Sequence, residues 1–433
     1  MTLKRTVQSR IMRLIVSSEF RHLKRRWWGF KRKLARSNPT VHFFCQLDDP
    51  YSYLLAQQML EVKNRYAIDL EFHLVRPPSD AAAPERAALE AYALKDAREI
   101  APFYKLKFPN VTSMPSHNTY QIALRALVAH TSFSKETLEL MAQYWANDTQ
   151  GLKKKPLFSA GEAESRLQND TALRDSLGHY LGAMLYFEGE WYWGVDRLPY
   201  LEDRLTEAKL RLVGTKNVSR FQQRPNFMSK PAKRRLTVEF YPSLRSPYSY
   251  LAMPEMMDLP NHYPVNVVWR PVMPMVMRGL PVPPNKGLYI IQDTKREADR
   301  IGVPFGNICD PVGTPVRRGF SLFPYANALG RGPEYLHAFC QLAWSEGRDM
   351  SRDQNLKLAI ERAGLDWGGV GDYLDNPAWE DEIEANRVQI MKSGLWGVPS
   401  YRLLGARGRE IYAGWGRDRI WLLAQYIQDA LSE

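Results

Sequence analysis

Two short apolar runs, Val41-His-Phe-Phe-Cys45 and Leu236-Thr-Val-Glu-Phe-Tyr241, are made of β-branched and aromatic residues, and each stops a few positions before a proline. Beyond that proline the spacing of apolar positions becomes helical, from Pro50 and from Pro247. Each run therefore predicts a strand that turns sharply into a helix, with Ser246 at the second helix's N-cap and Pro247 at its first position. Residues 68–74 and 265–269 carry the strand pattern again and run into Arg76-Pro77 and Arg270-Pro271. Helical patterns follow over 117–145 and 162–178, and over 322–346 and 352–393. Hairpin-like segments close both halves, one across Gly189 into Trp193-Gly194 and one from Tyr401 to Trp415-Gly416.

The elements recur in the same order. Pro-Tyr-Ser-Tyr-Leu stands at Pro50 and again at Pro247, 197 positions apart, and Tyr92 and Asp96 reappear at that spacing as Tyr289 and Asp293. The Arg-Pro pairs are 194 apart and the closing hairpins 222 apart, so the second copy is longer in its middle. An offset held across separate elements predicts a tandem repeat. The predicted organisation is a basic arm over 1–38, a first domain over 39–213, a linker over 214–235 rich in Gln, Asn, Pro and basic residues, and a second domain over 236–433.

Charge changes the reading of one segment only. The chain carries a net +12, but residues 1–36 hold twelve Lys and Arg against the single acid Glu19, so the body is close to neutral. No specific nucleic-acid partner is implied. The arm interleaves its basic residues with Ile11, Leu14, Ile15, Phe20, Leu23, Trp27, Trp28 and Phe30. That leaves three readings: a poorly ordered arm, an organellar targeting segment, or an amphipathic helix on an anionic membrane surface. Three cysteines far apart in sequence suggest neither a disulfide framework nor a zinc site, and fit a reducing, cytoplasmic location with peripheral membrane contact as an option. The eight histidines show no H-x-x-x-H or H-E-x-x-H spacing, so no metal is expected.

Strand-helix-strand, a helical block, then strand-strand-helix is the order of a thioredoxin-like α/β domain with a helical insertion, here predicted twice in tandem. Such a fold places a cis-proline opposite the first helix, and Gly397-Val398-Pro399-Ser400 supplies one. Four segments of the second half together resemble the DsbA-like thioredoxin family, in its branch of 2-hydroxychromene-2-carboxylate isomerases and kappa-class glutathione transferases. They are Phe240-Tyr with Ser246-Pro-Tyr-Ser249-Tyr-Leu, Pro284-Asn-Lys286 through Asp293, Gly397-Val398-Pro399-Ser400, and Trp415-Gly-Arg-Asp418-Arg. The resemblance implies that Ser246 is the catalytic hydroxyl and that glutathione is the cofactor. It also implies that Lys286, Val398, Pro399, Asp418 and Ser249 bind glutathione or a small aromatic or unsaturated carboxylic acid. The sequence departs from the pattern at Ser243, where an acid is usual, at Arg417, and in a shortened loop before Lys286.

The first half departs further: Asp49 stands in the place of Ser246, Leu89 in that of Lys286 and Ala183 in that of Pro399. A fold retained without its chemistry is expected there, the two halves forming an internal pseudo-dimer. A non-catalytic binding or scaffold protein and a disulfide oxidoreductase on the same fold remain open. The second of these is disfavoured because neither elbow holds a cysteine.

Overall fold

The computed structural model describes Ser9, residues 12–225 and residues 236–432. Residues 226–235 of the expected linker, and residues 1–8, 10 and 11 of the expected arm, lie outside the described residues. The chain divides into two compact units. One consists of residues 22–222 with 283–286, and the other is built on residues 236–282 and 287–432.

The N-terminal unit begins at residue 22, within helix α1 (Ser18–Ala35). Then come β1 (Thr40–Cys45), α2 (Pro50–Arg65), β2 (Asp69–Leu74) and α3 (Arg86–Ile100). Four helices follow: α4 (His117–Leu127), α5 (Lys135–Trp145), α6 (Thr149–Lys153) and α7 (Ala160–Ser176). The hairpin β3 (Met184–Phe187) and β4 (Glu190–Trp193) then leads into α8 (Gly194–Glu207). The sheet has the order β2-β1-β3-β4, with β1 parallel to β2 and antiparallel to β3. The two-residue period of a strand divides its faces. Val41, Phe43 and Cys45 of β1 and Leu70, Phe72 and Leu74 of β2 enter the main core with Phe133, Tyr144 and Trp145. His42, Phe44, Glu71 and His73 occupy the opposite face, with His42 in register with Glu71 and Phe44 with His73.

Helix α1 corrects the expectation of a poorly ordered arm, because its inner face is tied down within this unit. Arg25 donates to both carboxylate oxygens of Glu190 at 2.6 and 2.7 Å and to Glu207 at 2.5 Å, and Arg32 pairs with Glu188. The Trp28 indole lies against Gly189, where an added Cβ would come within 2.7 Å of its nitrogen. Gly189 also has a positive φ of 84°, so the tight β3–β4 turn and the close approach of Trp28 both require glycine.

The second unit runs through β5 (Leu236–Tyr241), α9 (Pro247–His262), β6 (Val265–Trp269) and α10 (Pro284–Ile301). Its insertion holds α11 (Thr314–Ser321), α12 (Phe323–Ala328), α13 (Gly332–Trp344), α14 (Asp353–Arg362) and α15 (Glu380–Lys392). It ends with β7 (Ser400–Leu404), β8 (Glu410–Trp415) and α16 (Ile420–Ser432). The sheet order β6-β5-β7-β8, with β5 parallel to β6 and antiparallel to β7, is the same order as in the first sheet. Three of the expected helical stretches are broken: 117–145 between α4 and α5, 322–346 between α12 and α13, and 352–393 between α14 and α15. The helical pattern over 352–393 is two helices, because Gly364, Gly368, Gly369 and Gly371 fall between α14 and α15 and take the chain through short 3-10 turns instead.

Candidate active site at the elbow of the second unit

Strand β5 delivers the chain through Pro242, Ser243, Leu244 and Arg245 to the start of α9. Ser246 is the N-cap in extended geometry, and its Oγ accepts from the Ser249 amide at 3.1 Å. Pro247, in the first helical turn, has no N–H to leave unsatisfied there. The Ser246 hydroxyl is half-buried and donates to the Val398 carbonyl at 3.5 Å. That is long beside the roughly 2.7–2.8 Å of an ordinary O–H···O bond, so the proton is weakly held and available to another acceptor. The arrangement is a hydroxyl donor at the positive end of a 16-residue helix.

Ser249 fastens the elbow itself. It is completely buried, and its Oγ accepts from the Ser243 amide at 3.2 Å, fastening the helix to the turn that precedes it. Ser243, where an acid was looked for, is itself buried, and its Oγ has no hydrogen-bond partner.

The Val398–Pro399 peptide is cis. Its loop is braced from the far hairpin: Gly416 N donates to the Pro399 carbonyl at 2.8 Å, and Ser400 Oγ donates to the Gly397 carbonyl at 2.7 Å. Tyr401 OH donates to the Gly416 carbonyl at 3.0 Å. Trp415 lies so close over Gly397 that a Cβ there would sit 2.1–2.3 Å from indole atoms. Asp418 is half-buried in the 3-10 turn that follows β8. Its neighbour Arg417 turns away to Glu255 and to Glu297, at 2.7 Å from the latter. Ser246, Ser249, Val398, Pro399 and Asp418 thus fall in the second unit. Lys286 does not: it groups with the N-terminal unit, where its Nζ donates to the Ala82 carbonyl at 2.8 Å and burial lowers its pKa.

The elbow of the N-terminal unit repeats the construction with its chemistry changed. Ser52 Oγ accepts from Gln46 N at 3.2 Å, as Ser249 does from Ser243 N, and both pairs are 197 apart in sequence. Tyr51 OH donates to buried Asp96 at 2.8 Å, and Tyr248 OH to buried Asp293 at 2.7 Å, again at that offset. Ala183 brings an N–H that a proline lacks, and Ser52 Oγ accepts it at 2.8 Å. Asp49 caps α2 by accepting from Tyr51 N and Ser52 N, and burial pushes its carboxyl up to about 7.

Sequence spacing missed two features. Arg417 is spent on an internal ion-pair network that only the packing of α9 and α10 creates. The other is the group of His42, Glu71 and His73, drawn from two strands, which turn donor atoms toward one another.

Residues 237–428 match the family described as the DSBA-like thioredoxin domain. The chain is similar to a 2-hydroxychromene-2-carboxylate isomerase of Sphingobium xenophagum, 28% identical over 206 residues that cover 45% of this chain and 98% of the relative. It is 24% identical over 206 residues to glutathione S-transferase kappa 1 of Homo sapiens, covering 44% of this chain and 90% of that one. Both relatives are enzymes by name. A solved structure of 2-hydroxychromene-2-carboxylate isomerase aligns with 45% of this chain and 95% of its own, at 24% identity and a TM-score of 0.38.

Proposed function

We propose that residues 237–428, a DSBA-like thioredoxin domain, bind glutathione at the α9 elbow and use it in an isomerase or transferase reaction on an aromatic or unsaturated carboxylic acid. The observation that carries this reading is the Ser246 hydroxyl, capping α9 with its oxygen while its proton is only loosely engaged at 3.5 Å by Val398. Glutathione, when bound, supplies a thiol nucleophile. The Ser246 hydroxyl and the positive end of the α9 dipole favour the thiolate over the thiol, because both stabilise negative charge at that point. The Val398–Pro399 loop lies across the elbow, and Asp418 is the acid placed to accept an amino group. Lys286 donates instead to the Ala82 carbonyl at 2.8 Å.

A disulfide oxidoreductase is disfavoured by chemistry. Cys45, Cys309 and Cys340 are all buried, and burial pushes the Cys45 and Cys340 thiols up, away from the reactive thiolate. The repeated hydrogen bonds support reading the N-terminal unit as a second, tandem copy of the same domain without its chemistry. Asp49 in place of Ser246 brings a carboxyl where a thiolate would need a donor.

Glutathione titrated calorimetrically into the full chain should give one site, with the ultraviolet absorbance of a thiolate near neutral pH. Ser246→Ala should retain the fold, losing about 1 kcal/mol of cap. The thiolate signal should shrink, and turnover should fall on the order of 10²-fold. Absence of glutathione binding in the unaltered chain would remove this reading and favour a non-catalytic scaffold.

A further inference from the structure

We propose that the N-terminal unit holds a divalent metal ion of the zinc type between His42, Glu71 and His73, with Asp170 orienting His73. The three residues come from the sheet face opposite the main core, where β1 and β2 run in parallel and His42 stands in register with Glu71. His73 lies two residues beyond Glu71 on β2 and so shares its face. His42 Nδ1 is 3.1 Å from His73 Nε2 and 3.0 Å from Glu71 Oε2, and His73 Nε2 is 3.4 Å from that same oxygen. Donor atoms held about 2.0–2.1 Å from one ion at tetrahedral angles are separated by roughly 3.3–3.4 Å. The triangle is therefore already close to the size that a shared ion requires.

Proton accounting points the same way. Asp170 Oδ1 lies 3.3 Å from His73 Nδ1, and the other Asp170 oxygen accepts from Arg166 Nε at 2.5 Å and from Leu74 N at 2.8 Å. A carboxylate fixed in this way calls for a proton on His73 Nδ1, which leaves a lone pair on Nε2 facing the group. Glu71 Oε2 presents another lone pair at 3.4 Å, and His42 Nδ1 completes the three. Lone pairs converging at this distance need a cation among them: a proton on His42, or a metal ion. The donor set of two imidazoles and one carboxylate suits zinc and its neighbours rather than magnesium or calcium. A carboxylate on the far nitrogen of a ligating histidine is the usual outer support of such a site. The Phe44 ring stacked 4.7 Å from His73 walls one side. Three protein ligands leave a fourth position for water or an anionic group, while the charge of Asp170 is met by Arg166, so the site is net negative through Glu71.

The test uses the untagged full chain, stripped with a chelator and titrated with Co2+ and then Zn2+. One equivalent of Co2+ should bind with the strong visible bands of a four-coordinate ion, and Zn2+ should displace it. Glu71 is largely exposed, so Glu71→Gln should fold as the parent does, and it should weaken Zn2+ at least about 10-fold. His42→Ala should abolish stoichiometric binding, and Asp170→Asn should cost roughly 10–100-fold. Mg2+ and Ca2+ at the same concentrations should not compete. Less than one equivalent of Zn2+ on the unaltered chain, or undiminished affinity in folded Glu71→Gln, would show that a shared proton holds the cluster and would overturn the proposal.

Discussion

Ser246 and Asp49 occupy matching N-caps, one presenting a hydroxyl and the other a carboxyl. That both are helix caps was legible from Ser-Pro and Asp-Pro at the start of a helical pattern, because capping is a local property. What burial does to Asp49 was not legible, since desolvation depends on packing from other elements. Its carboxyl is raised to about 7. Folding therefore favours the protonated form. The stabilisation is present in full below the ordinary carboxylate range, near 4, and is lost as pH rises through about 7. Asn caps helices about as well as Asp, so Asp49→Asn isolates the titration. Urea unfolding at pH 5 and pH 8 should show the parent losing on the order of 1–2 kcal/mol more than the variant over that interval. Asp48, raised by the same burial, leaves a residual slope in both. Equal slopes in the two proteins would mean that Asp49 is ionised throughout. Ser249 gives the same lesson. At position three of the helix its side chain points back at the preceding turn, where its oxygen accepts from Ser243 N, a bond that local spacing does not announce.

Among the elements, the strands, the two elbows and the closing hairpins could be read from period and breakers, because each carries its own signal within a few residues. The metal-type cluster could not. Helical ligand spacing lies within one segment, whereas His42 and His73 are supplied by neighbouring strands whose register no local pattern announces. The bracing of the cis-proline loop is also a tertiary fact: Trp415 of β8 lies over Gly397, although Gly-Val-Pro-Ser marked the loop itself in the sequence. Gly397→Ala tests that brace. A methyl group 2.1–2.3 Å from indole atoms forces Trp415 to move, which should cost about 1–3 kcal/mol as overpacking. Glutathione affinity should fall at the same time, since the displaced indole carries Gly416 and its bond to the Pro399 carbonyl. Gly414→Ala, which meets Tyr401 and Tyr412 at 2.6 Å, is the control for strain in the hairpin alone. Equal loss of glutathione binding in both variants would indicate general destabilisation rather than loop placement.

Nearly all of the chain's net charge resides in its first 36 residues, and helix α1 within that stretch is tied down by ion pairs. Helix α1 has two regular faces. Arg25, Trp28 and Arg32 face inward, where Arg25 holds Glu190 and Glu207 and Arg32 holds Glu188. Leu23, Trp27, Phe30 and Leu34, at intervals of four, three and four, form a single stripe on the other side and are 54–75% exposed. Lys24, Arg26, Lys31 and Lys33 flank the stripe in exposed positions. No helix among the described residues is long and apolar enough to cross a membrane. An apolar stripe bordered by cations is the form of a helix that lies on an anionic lipid surface, which is the partner we propose for it. Removing residues 1–36 is a poor test, because it strips partners from Glu188 and Glu190, whose side chains are only 9% and 14% exposed, and should lower stability. The double change Leu23→Ser and Phe30→Ser touches only the outer face and should leave the urea midpoint within experimental error. The unaltered chain should sediment with phosphatidylserine vesicles at low salt and detach as salt rises, through screening of the lysines and arginines. The double variant should stay in the supernatant at every salt concentration. Co-sedimentation equal to the parent's would mean that charge alone holds the protein to the vesicle, and failure of the parent to sediment at all would remove the membrane as a partner of this helix.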